Sequence, residues 1–334
     1  MGKVLSIIIP SYNTESFMEK NIYTMIQEDI IDRLEILIIN DGSKDGTLSV
    51  ANKLRKLYPD SIRVIDKPNG GHGSVINRGI KEATGVYLKI IDGDDYVDSH
   101  ELCRFVTTLN NIDADCVLSS YNTVSAITGE IKLQIPFEKN EVIIPNRIYN
   151  IDRILPYITA TIHAVTYKTE LLRKNYESIK VLERVFYEDM EFVTYPLVFA
   201  DSVYISDTVV YQYLIDQANQ SISLSNHRNR VGDSIKGVHA MIAHYNEWEK
   251  SISPEKNRYV INRINERVKG IYRLIISFPK DISKHKKDLL AFDLQLRNDS
   301  KIIYQESSRD LIIRALRISS FLAYRPLNLI LKRD

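Results

Sequence analysis

The sequence predicts an α/β fold with a mostly parallel sheet flanked by helices, followed by a helical C-terminal region. Three observations predict it. Apolar β-branched runs alternate with helical patterns over the first 121 residues, polar or glycine-rich loops follow four successive runs, and the last part of the chain is helical and rich in Lys, Arg and Asn. Such alternation is typical of βαβ crossovers, which gather ligands at the carboxyl ends of parallel strands.

The short apolar runs are the predicted strands, and the segments between them are the predicted helices. The strands are Val4–Pro10, Glu35–Asn40, Ile62–Asp66, Tyr87–Ile91 and Asp115–Ser119. The helices are 15–29, 44–58, 73–84 and 98–112. Farther along, we expect strands at Glu141–Ile144, Ser202–Ile205 and Val209–Leu214 and a helix that begins near Tyr187. We therefore expect a catalytic domain over 1–225 and a helical region over 226–334.

Composition excludes some classes of protein. The 334 residues include 44 basic and 43 acidic side chains, for a net charge of +1, so we expect no nucleic-acid partner. Cys103 and Cys116 form neither a disulfide framework nor a metal-ligand spacing, which fits a reducing cytoplasm. The start of the chain lacks the features of a secretory signal, and no run of about 18 apolar residues predicts a spanning helix. We expect a cytoplasmic protein.

Three carboxylates, Asp92, Asp94 and Asp95, follow the fourth predicted strand and surround Gly93. Carboxylates this close repel one another unless a cation or protons neutralise them. Oxygen ligands suit Mg²⁺ or Mn²⁺, which commonly keep positions for water and substrate phosphates. A solvated turn explains Asp-Gly-Asp-Asp alone about as well, but the loops that follow the other strands favour the metal site.

Those loops follow the first three strands, at 10–13, 40–43 and 67–73. The glycines of the third loop would let the backbone approach a phosphate or a sugar, although a structural turn explains them nearly as well. Asp41 is suited to accept a hydrogen bond from a nucleotide base, or to cap the helix that follows. His72 and Arg78 are further polar candidates. Four such loops at one edge of a sheet predict a ligand site.

In order and spacing, these motifs resemble glycosyltransferase family 2, whose nucleotide-sugar-binding fold is called GT-A. The resemblance covers roughly 4–215 and rests on the segments Ile9–Asn13, Asn40–Asp45, Asn69–Ile80, Asp92–Asp95 and Glu188–Asp189. It implies a metal-dependent, inverting enzyme of the bacterial surface-glycan type. Such an enzyme moves a single sugar from a UDP-sugar to a hydroxyl group of a glycan or of a polyprenyl-lipid-linked acceptor.

The resemblance also implies roles for single residues. Donor-binding positions would be Pro10, Tyr12, Asn13, Glu15, Asp41, Asn69, Gly71, Asn77, Asp92, Gly93 and Asp94. Asp94, the second acid of the Asp-x-Asp motif, would bind Mn²⁺ or Mg²⁺. Asp189 would be the base that deprotonates the acceptor, although acids at a helix start are also favoured by the helix dipole. His163 and Glu188 are acceptor-site candidates, and a packed structural histidine explains His163 at least as well.

Two further segments have predicted roles. The loop Gln220–Ser223 resembles the closing loop of such enzymes. The tail 309–334 carries six basic residues against two acids among apolar ones. A tail of this kind suits an anionic membrane surface, which would make the protein peripheral on the inner face of the plasma membrane. Packing on its own helices, or on a second subunit in a homo-oligomer, is equally open.

Two alternative functions remain at this point. A catalytically silent partner subunit of a glycosyltransferase complex would share the fold, but the intact Asp94 and Asp189 argue against it. A sugar nucleotidyltransferase would need a glycine-rich phosphate loop with basic residues after the first strand, and the segment 11–15, Ser-Tyr-Asn-Thr-Glu, is not such a loop. We therefore expect a glycosyltransferase.

Overall fold

A computed structural model describes residues 2–138, 141–216 and 228–331. The chain divides into two compact units. The first takes in Met1–Arg184 and Glu188–Ala218, and the second takes in Val185–Tyr187 and Asn219–Asp334. The first unit contains the sheet with its flanking helices, and the second is helical. The predicted loop Gln220–Ser223 lies outside the described residues.

One ten-stranded sheet forms the centre of the first unit. Its strands are β1 Leu5–Ser11, β2 Leu34–Asp41, β3 Ile62–Lys67, β4 Tyr87–Ile90, β5 Tyr96–Val97, β6 Cys116–Ser125, β7 Ile131–Gln134, β8 Arg147–Asn150, β9 Val165–Lys168 and β10 Ser202–Ile215. Their order is β3-β2-β1-β4-β9-β6-β10-β5, with β7 paired to β6 and β8 to β10. Strands β3, β2, β1 and β4 are parallel neighbours. The predicted fold class is confirmed.

The parallel strands form because their sequences suit burial on both faces. Every residue of β1 and β2 is buried, and both strands are rich in isoleucine, as expected for parallel strands covered by helices. The register pairs Ser11 with Asn40, and Asp41 with Lys67. The loops that follow β1, β2 and β3 therefore start at one edge of the sheet.

Helices cover this sheet. They are α1 Glu15–Met25, α2 Thr47–Leu57, α3 His72–Glu82, α4 Ser99–Leu109, α5 Ile151–Ile154, α6 Thr169–Lys174, α7 Tyr176–Ile179 and α8 Asp189–Phe199, with 3₁₀ turns at Ile31–Arg33 and Leu155–Tyr157. The four predicted helices are all present. Helix α4 begins after Asp98, whose carboxylate accepts a hydrogen bond from Glu101 N at 2.9 Å and so caps the helix. Helix α1 is shorter than predicted, because Ile26 adopts an extended conformation.

Three predictions from the mixed region differ from the structure. The strand predicted at Glu141–Ile144 is wrong, because this segment is irregular and Ile144 N donates to the Tyr149 hydroxyl at 2.8 Å rather than to a neighbouring strand. The two strands predicted between 202 and 214 are one strand, β10, with a register shift between Ile205 and Val209. Strand β9, which was not predicted, pairs antiparallel with both β4 and β6. Strands β7 and β8 were not predicted either.

The second unit consists of helices. They are α9 Val231–Trp248, α10 Pro254–Ile276, α11 Ile282–Asp299, α12 Lys301–Ser307, α13 Leu311–Ile318 and α14 Tyr324–Leu331. Helix α10 begins where Pro254 takes the first position and Ser253 Oγ accepts from Lys256 N at 3.2 Å, a favourable helix start. Within the described ranges, no helix combines the length and the apolar content that crossing a bilayer requires.

Candidate functional site

The loops after β2 and β3 are joined by Asp41, which is only 3% exposed. Its carboxylate accepts hydrogen bonds from Gly70 N at 2.9 Å and Gly71 N at 2.8 Å, and Lys67 Nζ contacts the same group. The Asn69 side chain donates to the Asp41 carbonyl oxygen at 2.9 Å. Asp41 does not cap the following helix, because α2 begins only at Thr47. In this structure, Asp41 therefore fixes the loop 67–73, which we call the glycine loop.

The loop after β1 is joined to the loop after β2 in a similar way. Asn13 adopts a positive φ of 55°. Its amide nitrogen donates to Ser43 Oγ at 3.0 Å, and its side-chain oxygen accepts from Lys44 N at 2.8 Å. The Glu15 carboxylate accepts from Gly46 N at 2.8 Å. Tyr12 is 46% exposed between these contacts, so its ring is open to a flat ligand.

The glycine loop leads into α3, which is attached to the segment 181–183. Gly71 has a positive φ of 82°, a conformation that glycine adopts without strain. The buried Asn77 side chain donates to Val181 O at 2.9 Å and accepts from Val181 N at 3.1 Å. Asn77 therefore binds the backbone of its own chain. Arg78 is exposed and pairs with Glu82 on the same helix, outside the site.

His72 connects three motifs. Its Nδ1 lies 2.7 Å from Glu188 Oε1, and its Nε2 lies 3.1 Å from Asp92 Oδ1. Burial alone would lower the pKa of His72, but the hydrogen bonds and charges of these two carboxylates outweigh burial and raise this pKa well above 6.5. A protonated His72 therefore links the glycine loop to the acidic end of β4 and to the residue before α8.

The three acids after β4 have different surroundings. The Tyr211 hydroxyl lies 2.6 Å from Asp95 Oδ2 and 3.2 Å from Asp92 Oδ2. Burial, followed by the charges of the neighbouring acids, raises the pKa of Asp95 to about 9 and that of Asp94 to about 6. Burial would also raise the pKa of Asp92, but His72 outweighs it and lowers this pKa. At neutral pH, Asp92 and most of Asp94 are therefore ionised, and Asp95 holds a proton.

Gly93 lets the segment Asp92–Asp95, which we call the acidic turn, lie against β1. A Cβ atom at position 93 would lie 2.6 Å from the Pro10 carbonyl oxygen, closer than real side-chain contacts allow. The Asn21 side chain donates to the Asp92 carbonyl oxygen at 3.0 Å. The end of β4 is therefore fixed beside the end of β1, which places Pro10 at the site.

The residues present fit a divalent cation. Among the described residues, ligand atoms of Asp92, Asp95 and His163 all lie within 4.8 Å of one another. Burial, followed by the charges of neighbouring acids, raises the pKa values of Asp94 and Asp95, and a cation bound at this turn would offset both effects. Carboxylate donors suit Mg²⁺ and Mn²⁺. Asp94 is half-buried beside this group but is not one of its three members.

His163 is packed among aromatic rings. Its ring stacks on Tyr213 with centroids 4.3 Å apart, and it contacts Tyr121 and Tyr211 at 5.0 and 4.8 Å. Thr161 Oγ1 lies 3.1 Å from its Nδ1. Burial lowers the pKa of His163 to about 4, so the ring is neutral. His163 is thus packed among aromatic rings beside Asp92.

Lys89 was not identified from the sequence. It is buried in β4, and its Nζ donates to the carbonyl oxygens of His163 at 2.7 Å and Val165 at 3.4 Å. Burial lowers the pKa of Lys89 to about 7. The available signal was a lysine inside an apolar strand, three residues before Asp92. Its contacts attach β4 to the start of β9 and hold the backbone of His163.

Glu188 and Asp189, the two neighbouring acids at the start of α8, lie in different surroundings. Glu188 is buried and contacts His72. Asp189, the first residue of α8, is exposed. Contacts of Asp41, His72 and Gly93 thus bring the four loops and Glu188 together. Asn77 is the exception among the predicted donor-site residues, because its side chain binds the segment 181–183.

The sequence model of the family described as Glycosyl transferase family 2 matches residues 6–176, slightly more than half of the chain. The chain belongs to glycosyltransferase family 2. This confirms the predicted family and leaves the nucleotidyltransferase alternative without support. The uncharacterized glycosyltransferase EpsJ of Bacillus subtilis (strain 168) is 38% identical over 117 residues, which are 35% of this chain and 33% of EpsJ. The chain thus matches about a third of that relative's length.

Solved structures show the same fold for this family 2 glycosyltransferase. Residues 1–349 of S. aureus TarS superpose with a TM-score of 0.68 at 18% identity, covering 97% of this chain and 90% of that one. The same TarS fragment in complex with UDP-GlcNAc gives a TM-score of 0.52 at 19% identity, covering 81% and 83%. At this identity the likeness concerns the fold.

Proposed function

We propose that this family 2 glycosyltransferase moves a single sugar from a UDP-sugar to a hydroxyl group of a glycan or lipid-linked acceptor, with inversion and with Mn²⁺ or Mg²⁺. The observation that carries the proposal is the cluster of Asp92, Asp94 and Asp95 beside the glycine loop. The setting we propose is the assembly of surface polysaccharide or glycoprotein glycans on the cytoplasmic side of the membrane. The fold shared with TarS, described in complex with UDP-GlcNAc, supports this choice of donor.

The four loops would bind the nucleotide part of the donor. Tyr12 offers an exposed ring on which a base can stack. Asp41 Oδ1 accepts from both Gly70 N and Lys67 Nζ, whereas Oδ2 accepts from Gly71 N, so Oδ2 is the oxygen that a base N–H can share. Asn69 is exposed beside it. Pro10, Asn13, Glu15 and Gly71 would act by fixing the backbone of these loops.

The acidic turn would hold the metal and the diphosphate. Asp94 would be the main ligand, with Asp92 directed toward ribose or sugar. A bound divalent ion neutralises charge that develops on the departing nucleoside diphosphate. His72 keeps Asp92 ionised and fixed in orientation, which prepares the turn for the donor.

Asp189 would be the base. Inversion requires a group that removes the acceptor proton while the acceptor oxygen attacks the anomeric carbon from the face opposite the leaving group. Glu188 is held by His72, so the first turn of α8 has a fixed position relative to Asp92. The exposed Asp189 can meet an acceptor, and a bound acceptor would exclude water from this carboxylate.

A screen of UDP-sugars by thermal shift and hydrolysis, with and without Mn²⁺, tests the proposal. We expect one UDP-sugar to stabilise the wild type in the presence of metal, and Asp94→Ala to lose this effect. Asp189→Ala should bind the donor normally but transfer sugar about 10²- to 10⁴-fold more slowly. Glu130→Ala, an exposed acid at the start of the β6–β7 hairpin, is the matched control and should behave as wild type.

Two results would contradict the proposal. If no nucleotide stabilises the protein and all four proteins behave alike, the silent partner subunit becomes the better explanation. If the product keeps the anomeric configuration of the donor, as read from the coupling of the anomeric proton by NMR, transfer is not inverting and the role of Asp189 as a base is wrong.

A further inference from the structure

The last two described helices, α13 and α14, carry an apolar face on their outer side. Their inner side is formed by the buried residues Ile313, Leu316, Tyr324 and Asn328. On the outer side, five large aliphatic side chains are 67 to 79% exposed, namely Leu311, Ile318, Leu322, Leu329 and Ile330. Five exposed aliphatic side chains on two successive helices make this segment a candidate interaction site.

The charged residues on this outer side are basic. Arg314 follows Leu311 by three residues and precedes Ile318 by four, so it lies on the same helical face. Arg325 precedes Leu329 by four residues, and both arginines are exposed. The sequence has no Asp or Glu from 311 to 331. A partner for this surface must therefore accept aliphatic groups and also offer negative charge.

Two other charged residues of this segment belong to the interior. Arg317 Nε donates to Asp293 Oδ1 at 2.7 Å, and its guanidinium lies 3.6 Å from the Tyr304 ring. The Asp310 carboxylate accepts from Arg273 at 2.6 Å and caps α13. Arg317 therefore packs against the protein's own helices, and the charged residues left on the outer side of 311–331 are arginines.

The face is held in place by specific contacts. The Tyr324 hydroxyl donates to Ile275 O at 3.0 Å, and the buried Asn328 side chain donates to the carbonyl oxygens of Ile276 at 2.6 Å and Phe278 at 2.9 Å. Helix α14 is thus fixed on the end of α10. Binding through its outer side requires no refolding, which lowers the entropic cost of docking.

We propose that the outer side of α13 and α14 docks on an anionic lipid bilayer. We call this surface the C-terminal face; it consists of Leu311, Arg314, Ile318, Leu322, Arg325, Leu329 and Ile330. The aliphatic groups enter the boundary between headgroups and acyl chains, and the arginines contact lipid phosphates.

Charge complementarity favours a bilayer over a second copy of the chain. A symmetric dimer through the C-terminal face would bring the same arginines toward each other, with no acid in the segment to neutralise them. An anionic bilayer offers both the negative charge and the apolar layer. The docking does not depend on the proposed glycosyl transfer, but it would hold the protein beside a lipid-linked acceptor.

Co-sedimentation of the full chain with vesicles tests the proposal. The vesicles are phosphatidylcholine alone, or phosphatidylcholine with an equal part of phosphatidylglycerol. We expect binding to the anionic vesicles that weakens as salt is raised. The double variant Arg314→Gln with Arg325→Gln should weaken it about 30-fold, and Leu329→Gln with Ile330→Gln at least about tenfold. All four positions are exposed, so melting temperatures should stay unchanged.

The matched control is Ile127→Gln with Leu133→Gln, which changes two exposed aliphatic residues in the β6–β7 hairpin. It should bind vesicles within twofold of wild type. Equal binding to both kinds of vesicle, no binding at all, or equal loss in the control would overturn the proposal. So would light scattering that shows a dimer which Leu329→Gln with Ile330→Gln abolishes. None of these outcomes depends on activity, so the proposed transferase function is judged separately.

Discussion

At the scale of single residues, His72 decides the charge state of the site. It contacts Asp92 and Glu188, which lie 20 and 116 residues away in the sequence. Its positive charge keeps Asp92 ionised while the neighbouring Asp95 holds a proton. His72 therefore favours the ionised form of Asp92, the carboxylate of the acidic turn that it contacts.

Replacing His72 tests this arrangement through the pH dependence of stability. Because the folded state raises the pKa of His72, its contribution is complete below the unfolded value of about 6.5 and is lost as pH rises through the folded value. The lowered pKa of Asp92 adds stability above about pH 4. We expect His72→Gln to lower the free energy of unfolding by about 2 kcal/mol at pH 5.5 and by less at pH 9.

Urea denaturation at both pH values, with a chelator present, provides the measurement. His100→Gln is the control, because the side chain of His100 is exposed and lies 3.6 Å from its only acidic neighbour among the described contacts, Glu101. A loss of the same size at pH 5.5 and pH 9 would show that His72 acts through packing and not through its charge.

The acidic turn should couple metal binding to proton release. Asp95 has a pKa raised to about 9 by burial and by the charges of Asp92 and Asp94, so a cation that binds there displaces its proton. We expect the apparent affinity for Mg²⁺ to rise by up to about tenfold per pH unit between pH 7 and pH 9. Calorimetry in buffers of different ionisation enthalpy measures the released protons. In Asp95→Asn the pH dependence should flatten, and a wild type without proton release would contradict the assignment.

At the scale of elements, α3 and the segment 181–183 form one support for the site. Asn77 binds Val181 through two hydrogen bonds. At Gly73, a Cβ atom would collide with the carbonyl oxygen of Leu182. This close approach places His72, the first residue of α3, within reach of Glu188. Glycine at 73 is thus required by distance to a neighbouring backbone and not by a turn.

Two glycine-to-alanine changes separate this contact from helix propensity. Gly73→Ala should destabilise the protein by about 2 to 3 kcal/mol, because backbone must move to accept the methyl group. Gly270→Ala, in the exposed middle of α10 with open space around it, should stabilise by up to about 1 kcal/mol. Calorimetric melting of both variants checks the opposite signs. If Gly73→Ala leaves the stability of the protein unchanged, the backbone of the segment 181–183 moves aside at little cost in free energy.

At the scale of the whole molecule, the sheet gathers the loops that follow β1, β2, β3 and β4 at one edge, while the helical unit carries the C-terminal face. The carboxyl ends of parallel neighbours share an edge by geometry. Residues far apart in the chain, such as Tyr12 and Asp94, thereby become parts of one candidate site in the first unit.

Hydrogen exchange shows whether the four loops act together. With UDP and Mn²⁺ bound, we expect slower amide exchange in the segments 10–15, 41–46, 68–74 and 92–95, because binding to the folded state stabilises what it contacts. The hairpin of β6 and β7 serves as the internal control. Protection limited to one of the four segments would contradict a shared donor site.

Much of the fold and the order of the site loops could be predicted from the sequence. β1, β2 and β4 are buried throughout and are mostly apolar, so the local pattern located them. The order of the loop motifs was enough to identify the family. By contrast, the pairing of β9 with β4 and β6 joins distant segments, as do the bonds from Lys89 to His163 and from Arg317 to Asp293. No local pattern records such partners.

The sequence by itself determined the alternation of strands and helices, the acidic turn after β4 and the family, because these depend on neighbours along the chain. Only the tertiary structure decided which acid is charged, that Asp41 holds the glycine loop, that Asn77 binds backbone, and that Arg317 faces inward. Burial and pairing between distant segments set the charge and orientation of each side chain, and both arise only when the chain is folded.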